Sequence, residues 1–140
     1  MSPKARFPES KPMIAHMKFY QDLLQDSKLA ESEPALKHPK GADFVGAEKC
    51  GECHKKAFAK WKETGHAQGF ESLKKGRLGL SRIYDPECLA CHVTGWNPQD
   101  VVRYETGYEN PLKSAHLLGN QCENCHGPGS KHIALIEADK

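Results

Sequence analysis

The chain has 140 residues, a formal charge of +2 at neutral pH and a mean hydropathy of −0.69. So small a charge with no basic run does not describe a nucleic-acid binder, and no apolar stretch approaches the length of a membrane span. With 38% hydrophobic residues and only five Phe, two Trp and four Tyr, an ordinary side-chain core is thin, so something besides side chains is expected to fill the middle.

Residues 1 to 43 contain no cysteine and carry most of the prolines. The opening "MSPKARFPESKPM" lacks the apolar core of a secretory signal. In "MIAHMKFYQDLLQDSKLA", Ile14, Met17, Leu24 and Leu29 fall near helical spacing, with Phe19 and Tyr20 between them. One amphipathic helix is predicted from about 13 to 30, followed by a proline-broken linker, "ESEPALKHPKGAD". The chain then divides into this N-terminal helix and linker, 1–43, and a second domain, 44–140.

The second domain opens with "AEKCGECHKKAFAKWKETGHAQGFESLKKG", which reads as helix around a first cysteine pair. Residues 55 to 62 are rich in helix formers, with Phe58 and Trp61 three apart on one face. Gly65 is expected to end that helix and Gly76 the next. "YDPECLACHVTGWNPQD" and "VVRYETGYENPLKS" are turn-rich, with room for a short hairpin around 101 to 108. "SAHLLGNQCENCH" returns to short helix, Gly127-Pro128-Gly129 breaks it, and "SKHIALIEADK" is predicted as helix with Ser130 as its N-cap.

All six cysteines belong to one pattern. They read Cys50-Gly-Glu-Cys53-His54, Cys88-Leu-Ala-Cys91-His92 and Cys122-Glu-Asn-Cys125-His126. This is the attachment signature of c-type haem. Two thiols one helical turn apart can add to the two vinyl groups of a porphyrin, and the next residue, His, then supplies the proximal nitrogen to iron. Other uses of such pairs fit less well. A thioredoxin-like site uses a single pair near a βαβ pattern, which is not visible. Three Cys-Cys-His triplets do not divide into four-ligand zinc sites. A disulfide framework leaves the histidines without a reason. The starts lie 38 and 34 residues apart with different flanks, so there is no simple tandem repeat.

Three covalently attached haem c groups are therefore expected, with iron held by His54, His92 and His126. Phe58 and Trp61 are then placed to face a porphyrin. The fold expected is mostly α: short helices and irregular loops wrapped around three covalent haems, with little or no sheet. Each ferric haem with two ionised propionates adds about −1, so the loaded protein is close to neutral when oxidised. His16 and His38 lie outside any motif and are read as surface residues, although either is free to reach a haem.

"CGECHKKAFAKWKETGHA", "CLACHVTGW" and "GNQCENCHGPGSKH", in this order, resemble the cytochrome c554 family of multihaem cytochromes. The likeness covers about residues 44 to 134 and includes the W-x-x-T-x-H spacing and the G-P-G turn. The family is mostly helical, carries four covalent haems and moves electrons from hydroxylamine oxidation. Only three motifs are present in this chain, so that electron donor does not carry over. The resemblance implies that His66 is the distal ligand of the haem at His126, and that His132 is the distal ligand of the haem at His54. In the family the haem corresponding to the one at His92 can lack a sixth protein ligand. In this sequence His116, in "KSAHLLGNQC", is available to fill it.

The function expected is an electron-transfer module acting between redox partner proteins, with a larger parent chain or oligomer as a source of further haems. The alternative is an enzyme or enzyme domain reducing a small nitrogen oxide at a five-coordinate second haem. A third class is an assembly module in which 1–43 docks onto a larger protein. Nothing resembles a nucleophile–base pair or a phosphate loop. Covalent haem attachment takes place outside the cytoplasm, so a periplasmic or extracellular location is expected. Met1 is then expected to be an artefact of expression or processing, with further residues encoded upstream.

Overall fold

The computed structural model describes residues 10–139; residues 1–9, which include Met1 and most of the stretch searched for an export signal, and Lys140 lie outside the described residues. The structure is mostly α-helical. Helix α1 spans Lys11–Ser27, with Pro12 in its first turn, where a missing N–H costs nothing. Its buried stripe is Gln21 and Leu24, continued by the half-buried Ile14 and Met17. The single helix predicted over 13–30 is interrupted. Lys28 turns left-handed at φ 51°, its N–H bonds to the carbonyl of Gln25, and a short α2, Leu29–Ser32, follows. No Gly or Asn marks this break, so the sequence does not advertise it.

The linker is pinned to the rest of the chain. Leu36 donates its N–H to the carbonyl of Arg103 at 3.0 Å and accepts from Glu105 at 2.9 Å. Then come α3 (Ala47–Gly51), α4 (Lys55–Lys62), α5 (Gly69–Lys75), a 3₁₀ turn (Arg77–Gly79) and α6 (Pro86–His92). Gly76 caps α5 with φ 47°, as its position in the sequence suggests. The hairpin pairs β1 (Trp96–Asn97) with β2 (Val102–Arg103), antiparallel, Trp96 opposite Arg103. It thus starts before the predicted 101–108 window, because Val101, at φ 57°, belongs to the turn rather than to a strand. A 3₁₀ turn at Ala115–Leu117, α7 (Cys122–His126) and α8 (Ser130–Ala138) complete the chain.

Ser130 does not cap its own helix. Gly129 takes the cap position, and the Ser130 hydroxyl accepts the N–H of Asp43 at 2.8 Å. The side-chain core is small and surrounds α6. Leu89, Ala90 and Val93 pack with Phe44, Phe70, Leu73, Trp96, Tyr108 and Leu117. Beside it two backbones touch: a Cβ on Gly107 would lie 1.9 Å from the carbonyl oxygen of Gly95, so only glycine fits. Among the described residues no helix is long and apolar enough to cross a membrane.

Candidate haem centres

The second and third motifs are each built as a short helix that ends at its histidine, and the first bridges two helices. In the first, α3 carries Cys50, a turn carries Cys53, and His54 leads into α4. In the second, both cysteines and His92 lie on α6, whose N-terminus is capped by Asp85 accepting the N–H of Glu87 at 3.2 Å. In the third, Gln121 and Asn124 form a reciprocal capping box at the start of α7. In all three, the first cysteine (Cys50, Cys88, Cys122) is half-buried and the second (Cys53, Cys91, Cys125) is exposed; none is in a disulfide. One sulfur is anchored against the fold and the other faces outward, which leaves both open to a group lying along the helix. Among the described residues no three His, Cys, Asp or Glu side chains are grouped to hold a metal ion, as structural zinc would need.

The first and third motifs share a cleft. It has a volume of about 660 Å³ and is lined by Cys50, Cys53 and His54 on one side and by Cys122, His126 and His132 on the other. That volume is within the roughly 300–1,000 Å³ of ordinary ligand sites. Burial, then the neighbouring Cys122 and Glu123, push the Cys50 thiol up to about 11, so in the haem-free chain it is neutral. Across the cleft the rings of His54 and His132 stand 6.2 Å apart, 25° from parallel. One metal ion with imidazole nitrogens about 2 Å away on either side spaces two ring centroids by roughly 6 Å.

Glu123 holds this cleft together, and sequence reasoning missed it. Only 3% exposed, its carboxylate accepts the backbone N–H groups of Val45 (3.0 Å), Gly46 (2.8 Å) and Gly129 (2.8 Å). It thereby ties the third motif to the chain entering the first, and to the turn that aims α8. Gln121 adds a second tie, accepting the N–H of Ala47 at 2.6 Å. No local pattern marks Glu123, which occupies a variable slot inside the motif.

The His92 ring is oriented by α5. Its Nδ1–H donates to the carbonyl of Gly69 at 2.8 Å, with the Ser72 hydroxyl at 3.2 Å. That bond fixes the tautomer and leaves Nε2 with a free lone pair, as a metal-ligating imidazole requires.

Residues 49–127 match the family of cytochrome c554 and c-prime. The chain belongs to this family. Cytochrome c-554 of Nitrosomonas europaea is 37% identical to it over 99 residues, which are 63% of this chain and 40% of that relative. The chain thus spans less than half the length of the curated relative it matches. No solved structure matches it. It is a c-type cytochrome, and covalently attached haem follows from that membership. The paired thiols, the cleft and the free Nε2 of His92 all fit such a group.

The remaining histidines of this cytochrome occupy different settings. His66 is exposed, and its carbonyl accepts the N–H of Asn120 at 3.0 Å. The Trp61 indole donates to the carbonyl of Asn120 at 2.9 Å, so the W-x-x-T-x-H segment is lashed just ahead of the third motif. Thr64 closes the same segment by donating to the carbonyl of Trp61 at 2.7 Å. Phe58 lines the cleft, and Trp61, stacked against it, directs its N–H to Asn120. His116 is exposed, with its ring edge beside Gly46 and its carbonyl held by Gln121 at 2.8 Å. His38 packs edge-on against Tyr104 and Phe44 and accepts the N–H of Lys40, while burial pushes its imidazole down. His16 is exposed on α1.

Proposed function

We propose that this cytochrome carries three haems and passes electrons between redox partner proteins. The observation that carries the reading is the 6.2 Å separation of the His54 and His132 rings across a cleft lined by two of the three attachment motifs. Haem, when bound, supplies a one-electron iron couple. The six cysteines hold it as thioethers, and His54, His92 and His126 each give one iron its proximal nitrogen.

His132 gives the second nitrogen to the iron of the first motif, and His66 gives it to the iron of the third. Two imidazoles per iron exclude exogenous ligands and keep the coordination unchanged between oxidation states, which suits a relay. The crossing also has a physical reason. His132 lies six residues past His126 with a Gly-Pro-Gly turn between, too short a path to wrap its own porphyrin. The iron at His92 takes His116. Attachment by thioethers takes place outside the cytoplasm, so this cytochrome works in the periplasm or beyond it. Redox titration followed by optical spectra tests the relay: three one-electron couples with low-spin spectra in both states support it, whereas stable binding of nitric oxide or nitrite at one iron favours nitrogen-oxide reduction.

A further inference from the structure

Helix α1 is apolar over more of its circumference than the fold buries. Its buried stripe is residues 14, 17, 21 and 24. On one side of that stripe lie Lys18, Asp22 and Asp26, a charged flank with a Lys18–Asp22 ion pair. On the other side Met13, His16, Tyr20 and Leu23 follow at i, i+3, i+7 and i+10, so they share one face. All four are exposed, Met13 at 58%, Tyr20 at 41% and Leu23 at 49%, with Phe19 beside them at 63%. An apolar flank of this width on a helix that already packs by another face marks a surface with a further occupant.

The contacts of α1 say which. Gln21 donates its side-chain N–H to the Asp85 carboxylate at 2.8 Å, a buried bond. Asp85 is the cap of α6 and stands three residues before Cys88. The neighbouring Tyr20 belongs to the same corner: burial, then the charges of Asp85, Glu87 and Cys88, raise its phenol. The Gln21–Asp85 bond thus brings the Tyr20 end of the flank to the helix that carries Cys88, one of the two thiols of the second motif.

We infer that the second haem lies against the Met13–His16–Tyr20–Leu23 flank of α1, which forms one wall of its site. The inference rests on the three-haem reading and extends it to residues outside the matched segment 49–127. The apolar wall replaces water on one side of the macrocycle. Less polar surroundings disfavour the more highly charged ferric state, so α1 raises the reduction potential of this haem relative to one left open to solvent.

The test uses protein carrying three haems by intact mass, so that a missing haem is seen separately and counts against the three-haem reading itself. The variant Tyr20→Met, labelled with ¹³C at the methionine methyls, adds one signal to a chain that has three methionines. In the ferrous protein the new methyl is expected well away from the position of a solvent-exposed methionine, displaced by the porphyrin ring current. A new methyl at the ordinary exposed position overturns the inference. The second variant, Tyr20→Gln, lies on an exposed face and leaves folding intact. It should move one of three midpoint potentials downward and leave two in place; three unchanged midpoints count against the wall.

Discussion

The carboxylate of Glu123 receives the backbone N–H of Gly46 at 2.8 Å across 77 residues of sequence. Because Val45 and Gly129 donate to the same group, one buried anion sets the distance between the first motif, the third motif and α8. Replacing it with Gln keeps the shape but turns an amide donor toward backbone donors. Glu123→Gln should cost on the order of 2–3 kcal/mol of stability, read from denaturant unfolding of the haem-loaded protein. Loss below about 0.5 kcal/mol would show that the clamp matters little.

His132→Ala should leave the iron of the first motif with a single imidazole. One of three haems is expected to become high spin and to accept added imidazole, which restores the low-spin spectrum. An unchanged spin state would remove His132 from the ligand set. His66→Ala should do the same at the third motif, and the double variant should convert two haems.

Trp61→Phe tests how His66 is aimed. The variant keeps the ring but loses the N–H that reaches the carbonyl of Asn120. A cost of about 1 kcal/mol is expected for one neutral hydrogen bond, together with partial high-spin character at one haem. Full low-spin spectra with the same stability would mean that the lashing of this segment is incidental.

The middle haem has its own test. His116→Ala should convert the iron at His92, and only that iron, to high spin. If the unmutated protein already shows one high-spin haem and the replacement leaves its spectrum alone, His116 is not a ligand and a small-molecule reaction at that iron becomes the better reading.

Much of this was legible because it is local. Three C-x-x-C-H patterns require only five consecutive residues each, and the mostly helical character follows from composition and turn residues. Gly76 could be read as a stop because it supplies the conformation a helix end needs. What escaped the sequence is tertiary. Ser130 has the side chain of an N-cap, yet Asp43, 87 residues away, takes its hydroxyl. Lys28 turns left-handed without a residue type that favours it. The hairpin register depends on Val101 entering the turn, and Glu123 acquires its role only when residues 45, 46 and 129 surround it.

The central claim is that each of the three motifs holds a haem, and intact mass under denaturing conditions measures this most directly. The polypeptide alone is 15.6 kDa. Protein matured with the haem-attachment machinery should be heavier by three haem masses, with the additions surviving acid–acetone extraction and no thiol left to alkylate. Fewer than three covalent additions, or a free thiol in the fully matured chain, would contradict the account.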